Sequence, residues 1–382
     1  MIEVICIIVA ITALFFWVEY INGSHDSSAE HSKLDISFNG EKIHGLGVFI
    51  DRRTDEQKAR NVKEGYLDGD IIIFLQGHGQ QPKYGFNFTS LLAERSRSGI
   101  VFIPHVYTPF GSERKWRGDK GKLVLLMELT RFCLEKKGLH IANVNSICEL
   151  PVKIKDNKTP LKSGQSDISI VCEITVVGWS HGGLLARRFA NAYPESVNNL
   201  AQVTPAGFES WGPKSWAGLN LFVNFMVEVG FISLMMFKGH VKQPLIAGVA
   251  IVRGIMSDSL YAFVSLVRSR SFSPVKLARA YVDIQQCSTL MTDKNMPVTE
   301  LSNIVVLFGE KDSVFEAKNA LKEIDINTDS NSSNVLFEKF FPSAVANGTR
   351  CSFKVLPGNH IAPLIHAERY VEEVLLGTAQ RA

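Results

Sequence analysis

Little in this sequence suits a metal centre or a nucleic acid. Its six cysteines, Cys6, Cys133, Cys148, Cys172, Cys287 and Cys351, are scattered without metal-ligand spacing. Lys and Arg number 41 against 38 Asp and Glu, a net charge of +3, too small a field to gather nucleic acid. One basic stretch, Arg114-Lys115-Trp116-Arg117 with Lys120 and Lys122, reads as a solvated loop, with contact to an anionic surface or substrate as the alternative. Internal repeats and extended low-complexity tracts are missing. Hydrophobic residues make up 46% and charged residues 21%, which excludes wholesale disorder.

What the chain does have begins at its N-terminus. Val4 to Val18 is a run of fifteen residues without a charge, and no polar stripe marks it as one side of a soluble helix. It falls short of the ~20 residues that cross a bilayer squarely. No Lys or Arg precedes it and no small-residue cleavage site is clear. The reading is a single N-terminal membrane anchor over 1–21, followed by a polar tether over 22–33. A cleaved signal peptide on a secreted protein, or a buried helix, are the alternatives.

Beyond the tether the pattern is strand alternating with helix. Leu34 to Asp51 alternates apolar and polar residues, as in early antiparallel strands. Ile71 to Leu75, Gly99 to Pro104, Cys172 to Val177, Leu200 to Thr204, Asn303 to Phe308 and Ser352 to Leu356 follow, most of them continuous apolar runs. Such runs suit strands buried on both faces of a parallel sheet. Helical periodicity occupies Lys122–Lys137, Gly182–Tyr193 and Ile361–Leu376. The fold class is therefore α/β, with a mostly parallel central sheet flanked by helices. Its core spans 34–207 and 298–382.

The alternation stops over 208–297, after the sixth strand. There Leu219–Phe237, Leu245–Met256 and Leu260–Val267 read as apolar helices, and Asn220, Asn224 and Glu228 form one polar stripe. The segment is expected to be a helical cap or lid, packing on the main domain or offering apolar surface to a lipid or a bilayer. The stretch 138–167 is polar and irregular, an insertion rather than core, and 325–349, with the polar loop Asp325 to Asn334, is a second insertion; the sequence assigns a role to neither.

The chemistry centres on Gly178-Trp179-Ser180-His181-Gly182. A serine hydroxyl is a poor nucleophile at neutral pH; it needs a base, a group that orients the base, and donors for an oxyanion. Three fixed letters match by chance in roughly one chain in six of this length, so context must lift the pattern. A buried-strand run leads in and the small-residue helix start Gly182-Gly183-Leu184-Leu185-Ala186 leads out. That is a strand–turn–helix elbow with Ser180 at its tip. His181, its neighbour, points elsewhere and offers its backbone N–H as an oxyanion donor.

This segment resembles the nucleophile elbow of esterases and lipases of the α/β-hydrolase family, and the resemblance extends over most of Asp70 to Leu376 outside the insertions. It implies the chain order nucleophile, acid, histidine. The acid is then Asp312, in Phe308-Gly309-Glu310-Lys311-Asp312 after a late strand, with Glu310 as competitor. The histidine is His360, in Pro357-Gly358-Asn359-His360 after the last strand, while His366 reads as a surface or packing residue. Gln76-Gly77-His78-Gly79-Gln80 resembles the family's His-Gly segment, which implies Gln80 N–H as the second oxyanion donor. The resemblance implies a carboxylic ester hydrolase working through an acyl-enzyme, with no metal or organic cofactor. The expected partner is a small-molecule ester or lipid rather than a nucleic acid, with membrane association through the N-terminus. An acyltransferase or thioesterase with the same triad, and a non-catalytic binding protein on the same fold, are the other readings.

Overall fold

The apolar runs become the middle of one twisted sheet. The structure, a computed structural model, describes residues 28–38, 41–77, 85–107, 119–142, 152–156, 170–208, 291, 297–298, 300–312, 315–322, 332–360 and 362–380. The apolar N-terminal run, most of the tether and cap, and Gln80 and the basic stretch (apart from Lys120 and Lys122) lie outside them. Strands are Glu30–Phe38 (β1), Glu41–Asp51 (β2), Ile71–Leu75 (β3), Ile100–Tyr107 (β4), Leu139–Ile141 (β5), Val152–Asp156 (β6), Ile170–Cys172 (β7), Ile174–Trp179 (β8), Val197–Val203 (β9), Asn303–Gly309 (β10) and Arg350–Leu356 (β11). Nine of them form one sheet in the order β11-β10-β9-β8-β3-β4-β2-β1-β6. From β11 to β4 all neighbours are parallel, while β2, β1 and β6 add an antiparallel flank.

Strands β3, β8 and β10 are buried along their whole length, because helices cover both faces. Helices are Asp55–Glu64 (α1), Phe86–Arg95 (α2), Asp119–Glu135 (α3), His181–Ala192 (α4), Ala317–Lys322 (α5), Ser332–Phe340 (α6), Pro342–Ala346 (α7), Ala362–Ile365 (α8) and Ala367–Gly377 (α9). Successive strand residues point to opposite faces. Ile71, Ile73 and Leu75 thus join the apolar cluster that includes α3 and α4. Ile72 and Phe74 join the other, with Phe88 and Leu92 of α2 and Tyr370, Val371 and Val374 of α9.

Sheet order decides where a site can form. From β3 the chain moves outward to β4, and from β8 it moves the opposite way to β9. Between β3 and β8 the connections diverge, leaving a crevice at the carboxyl ends of the two strands. Ser180 follows β8 and Gln76-Gly77 follows β3, so both stand at that crevice. The opposite end of the sheet is laced by polar side chains. Thr175 Oγ1 and Asn199 Nδ2 donate to Asp70 Oδ2 at 2.7 and 2.6 Å, and Asn303 Nδ2 donates to Asn199 Oδ1 at 2.6 Å. This pins β3, β8, β9 and β10 in register at the end away from the crevice.

One sequence expectation changes. The insertion 138–167 is not wholly peripheral: β5 pairs with β7, and β6 extends the sheet edge beside β1. An edge strand with one side in solvent reads as polar, which hid Val152-Lys153-Ile154-Lys155-Asp156. In 325–349, to which the sequence assigns no role, helices α6 and α7 bury Leu336, Phe337, Phe340, Phe341 and Ala344 in the larger cluster, so the described part of that stretch is core. With β5, β6 and β7 counted, the sixth strand of the sequence reading is β9, and the described chain leaves it at Phe208 and resumes at Met291. The amide of Met291 donates to the Gly207 carbonyl at 2.8 Å, so departure and return are hydrogen-bonded neighbours.

His105 is one of the groups that make stability pH-dependent. Burial, and secondarily the Lys122 charge, lowers His105 in β4 from 6.5 to about 4. A folded value below the unfolded one means that the unfolded chain takes up the proton first as pH falls. Stability from neutral His105 is thus complete above about pH 6.5 and drains away toward about pH 4. The urea midpoint of the unaltered protein should fall more steeply across that window than that of His105→Gln; parallel slopes would remove His105 as the cause.

Candidate active site

Ser180 sits at the tip of the β8–α4 elbow with φ 58° and ψ −125°, a conformation L-residues rarely adopt. The turn holds because its neighbours carry no side chains. A Cβ on Gly178 would lie 2.1 Å from the Gly182 carbonyl oxygen, and one on Gly182 would lie 2.0 Å from the Leu75 carbonyl oxygen. Main-chain bonds close the loop: Ser180 N–H donates to Val203 O at 2.9 Å, and the amides of Gly183 and Ala206 donate to Ser180 O at 2.9 and 3.2 Å. Gln202 Nε2 donates to Gly183 O at 2.8 Å. Beyond β9, Thr204 also has a positive φ of 42°, so both strand ends at this corner are tightly bent.

Loops from three separate strands meet here. His360, between β11 and α8, places Nε2 2.9 Å from Ser180 Oγ and Nδ1 2.9 Å from Asp312 Oδ2. Asp312, just after β10, accepts a second hydrogen bond on Oδ1 from the Phe315 amide at 2.9 Å. Ser180, His360 and Asp312 are all buried. The two late loops are also tied to each other, as Lys311 N–H donates to Gly358 O at 2.8 Å. Glu310, the competing acid, is exposed, and so is His366, which lies between α8 and α9.

His181 opens α4 with its side chain buried. The first amides of a helix lack intrahelical acceptors and carry the positive end of its dipole. Negative charge developing beside Ser180 is therefore favoured at this end of α4. Gln80 and His78 lie outside the described residues; the strand end that leads to them, Gln76-Gly77, is beside the elbow. Tyr370 lies near the acid, and burial first and the Asp312 charge second push its phenol well above the ordinary range. It stays protonated and adds no charge to the site.

Phe315, whose amide orients Asp312, carries no motif that would announce it in the sequence. Nor does Arg187, a fully buried cation on α4 that donates to the carbonyls of Met291 and Phe340 and lies 4.0 Å from the Phe341 ring centroid. It fastens the helix behind Ser180 to α6, α7 and the return point of the chain. Among the described residues, no group of three His, Cys, Asp or Glu side chains is placed to hold a metal ion.

No family model and no curated protein matches this chain. Among solved structures, a probable hydrolytic enzyme from Pseudomonas aeruginosa is 13% identical over 92% of this chain and 95% of its own, with a TM-score of 0.46. Another hydrolase from Pseudomonas aeruginosa is 10% identical over 92% and 98%, at 0.47. A carboxylesterase from Bacillus subtilis is 13% identical over 91% of both chains, at 0.42. Likenesses this remote carry no statement about activity. The fold rests instead on the chain's own features: a parallel sheet with an antiparallel flank, helices on both faces, and a strand–serine–helix elbow at the switch point. On those features the chain is a member of the α/β-hydrolase fold.

Proposed function

We propose that this chain is a serine hydrolase that cleaves a lipophilic carboxylic ester through Ser180, His360 and Asp312. One observation carries the reading: a continuous line of hydrogen bonds runs from the Ser180 hydroxyl through both ring nitrogens of His360 to a buried carboxylate. Asp312 accepts a hydrogen bond from Nδ1–H, which leaves Nε2 free to accept the hydroxyl proton of Ser180. Attack on the ester carbonyl passes that proton to His360, and the imidazolium then protonates the leaving alcohol. The oxyanion rests on His181 N–H at the positive end of α4 and on Gln80 N–H. Water, deprotonated by His360, releases the acid and restores Ser180. None of these steps calls on a metal or organic cofactor.

The lipophilic substrate is supported by the apolar character of 208–297, and a single N-terminal anchor by the uncharged run Val4–Val18. Full-length protein should react with a fluorophosphonate probe, and Ser180→Ala should not. Hydrolysis of p-nitrophenyl esters should strengthen with acyl length. Failure of the unaltered protein to label would overturn the enzyme reading. A preference for short chains would overturn the lipophilic substrate, and acyl transfer to an added thiol or alcohol in preference to water would make it an acyltransferase. Carbonate-washed membranes should retain the full-length chain; a fully released product with its N-terminus intact removes the anchor.

A further inference from the structure

The mechanism uses both nitrogens of His360, and Lys311 N–H ties its loop only as far as Gly358 O, two residues short of the histidine. Asp312 restrains the ring through Nδ1, yet the main chain at His360 ends a four-residue stretch in which Gly358 has a φ of 128°. Nothing in the carboxylate contact fixes that main chain. Trp179 does. It is the last residue of β8, buried, and shares a peptide bond with the nucleophile. Its indole Nε1–H donates to the His360 carbonyl at 3.1 Å. Its ring centroid lies 5.2 Å from that of the imidazole, with the planes inclined by only 31°. Phe315 closes another side edge-on, at 5.4 Å and 66°.

The indole is itself confined. A Cβ on Gly77 would lie 2.7 Å from two of its ring carbons, so the end of β3 packs directly on it. A side chain with two torsions, seated on one strand end and rooted in another, is a rigid strut. We infer that Trp179 is a positioning residue for His360, gripping its main chain through the indole N–H and its ring through stacking. This rests on the serine hydrolase reading and extends it to the residue before the nucleophile.

Two consequences separate it from a packing role. Displacing a catalytic base by ~1 Å can cost roughly 10²-fold in rate. The imidazolium that forms during attack also lies over the indole face, where a cation is favoured. Both effects are felt as the proton moves rather than when substrate binds, so they belong in kcat and not in KM.

The test compares Trp179→Phe, which keeps a ring and loses the donor, with Trp179→Leu, which loses both. Rates are referred to sites titrated by fluorophosphonate, so misfolded protein is not counted, and thermal midpoints are recorded alongside. The expected order is the unaltered chain, then Phe about tenfold lower in kcat, then Leu about 10²-fold lower, with KM within about twofold throughout. Wild-type kcat per titrated site in Trp179→Phe and Trp179→Leu would overturn the inference. So would a rise in KM at constant kcat. If the Leu variant does not fold, the Phe variant decides alone. A chain that never labels, even unaltered, would fail at the hydrolase reading instead.

Discussion

Asp312→Asn should lower kcat about 10⁴-fold while leaving the protein folded and Ser180 in place. The reason is a tautomer. Asp312 accepts from Phe315 N–H on Oδ1 and faces His360 Nδ1 with Oδ2. An asparagine can keep its carbonyl on the Phe315 amide, which turns its NH2 toward Nδ1. Nδ1 then becomes the acceptor and the ring proton moves to Nε2, the atom that must take the proton of Ser180. The distances barely change and the base no longer works. Steady-state kinetics on a p-nitrophenyl ester, with fluorophosphonate labelling rates alongside, measure the loss. Glu310→Gln should retain nearly full activity, since that carboxylate is exposed. If the Asn variant keeps its rate while the Glu310 variant loses it, the acid has been misassigned.

Gly182→Ala should damage stability and activity together. The added methyl would lie 2.0 Å from Leu75 O and 2.6 Å from Gln76 O, and neither atom belongs to a side chain that can swing away. Relief requires α4 or the end of β3 to move, and each carries part of the site. Overpacking of this kind costs about 3 kcal/mol, and displacing the reacting groups by ~1 Å adds roughly a 10²-fold loss in kcat. Gly65→Ala is the control: its Cβ would meet nothing within 4 Å, and only its φ of 74° is unfavourable, a cost of about 1 kcal/mol. Urea unfolding of the two variants should separate them clearly. Equal midpoints would mean that the elbow tolerates a side chain, and that Gly182 is not what holds Ser180 above the sheet.

The parts of the fold that were legible are those encoded by close neighbours. Ile71–Leu75 and Asn303–Phe308 read as buried strands because every residue in them is apolar or uncharged and turn formers flank them, and both are buried throughout. Short pieces were not legible. Leu139–Ile141 and Ile170–Cys172 are three residues each, too few for a period to show, and β6 looks polar because it is an edge. Helix α6 hides behind Ser332-Ser333-Asn334, whose polar start resembles the loop before it. At the site, Ser180 stands out on its glycine-flanked elbow, and Asp312 and His360 through the chain order that the family resemblance implies. Phe315, Trp179 and Arg187 do not, since an amide, an indole N–H and a buried guanidinium acquire roles only from what they face.

By itself, then, the sequence determined an inventory and an order: a serine on a glycine-flanked elbow, an acid after one late strand and a histidine after the next. Local preference and apolar periodicity place the strands and the elbow, because they depend on residues a few positions apart; the acid and the histidine are what the family resemblance implies. Tertiary structure decided proximity. His360 is 180 residues from Ser180 and 48 from Asp312, and only the parallel register of β8, β9, β10 and β11 brings their loops together at the carboxyl ends of the strands. The same packing buried Asp312 and left Glu310 in water. It also turned Trp179, one letter in a five-residue motif, into the surface on which the histidine rests. A motif can name the reacting atoms, but their separation is set by the sheet.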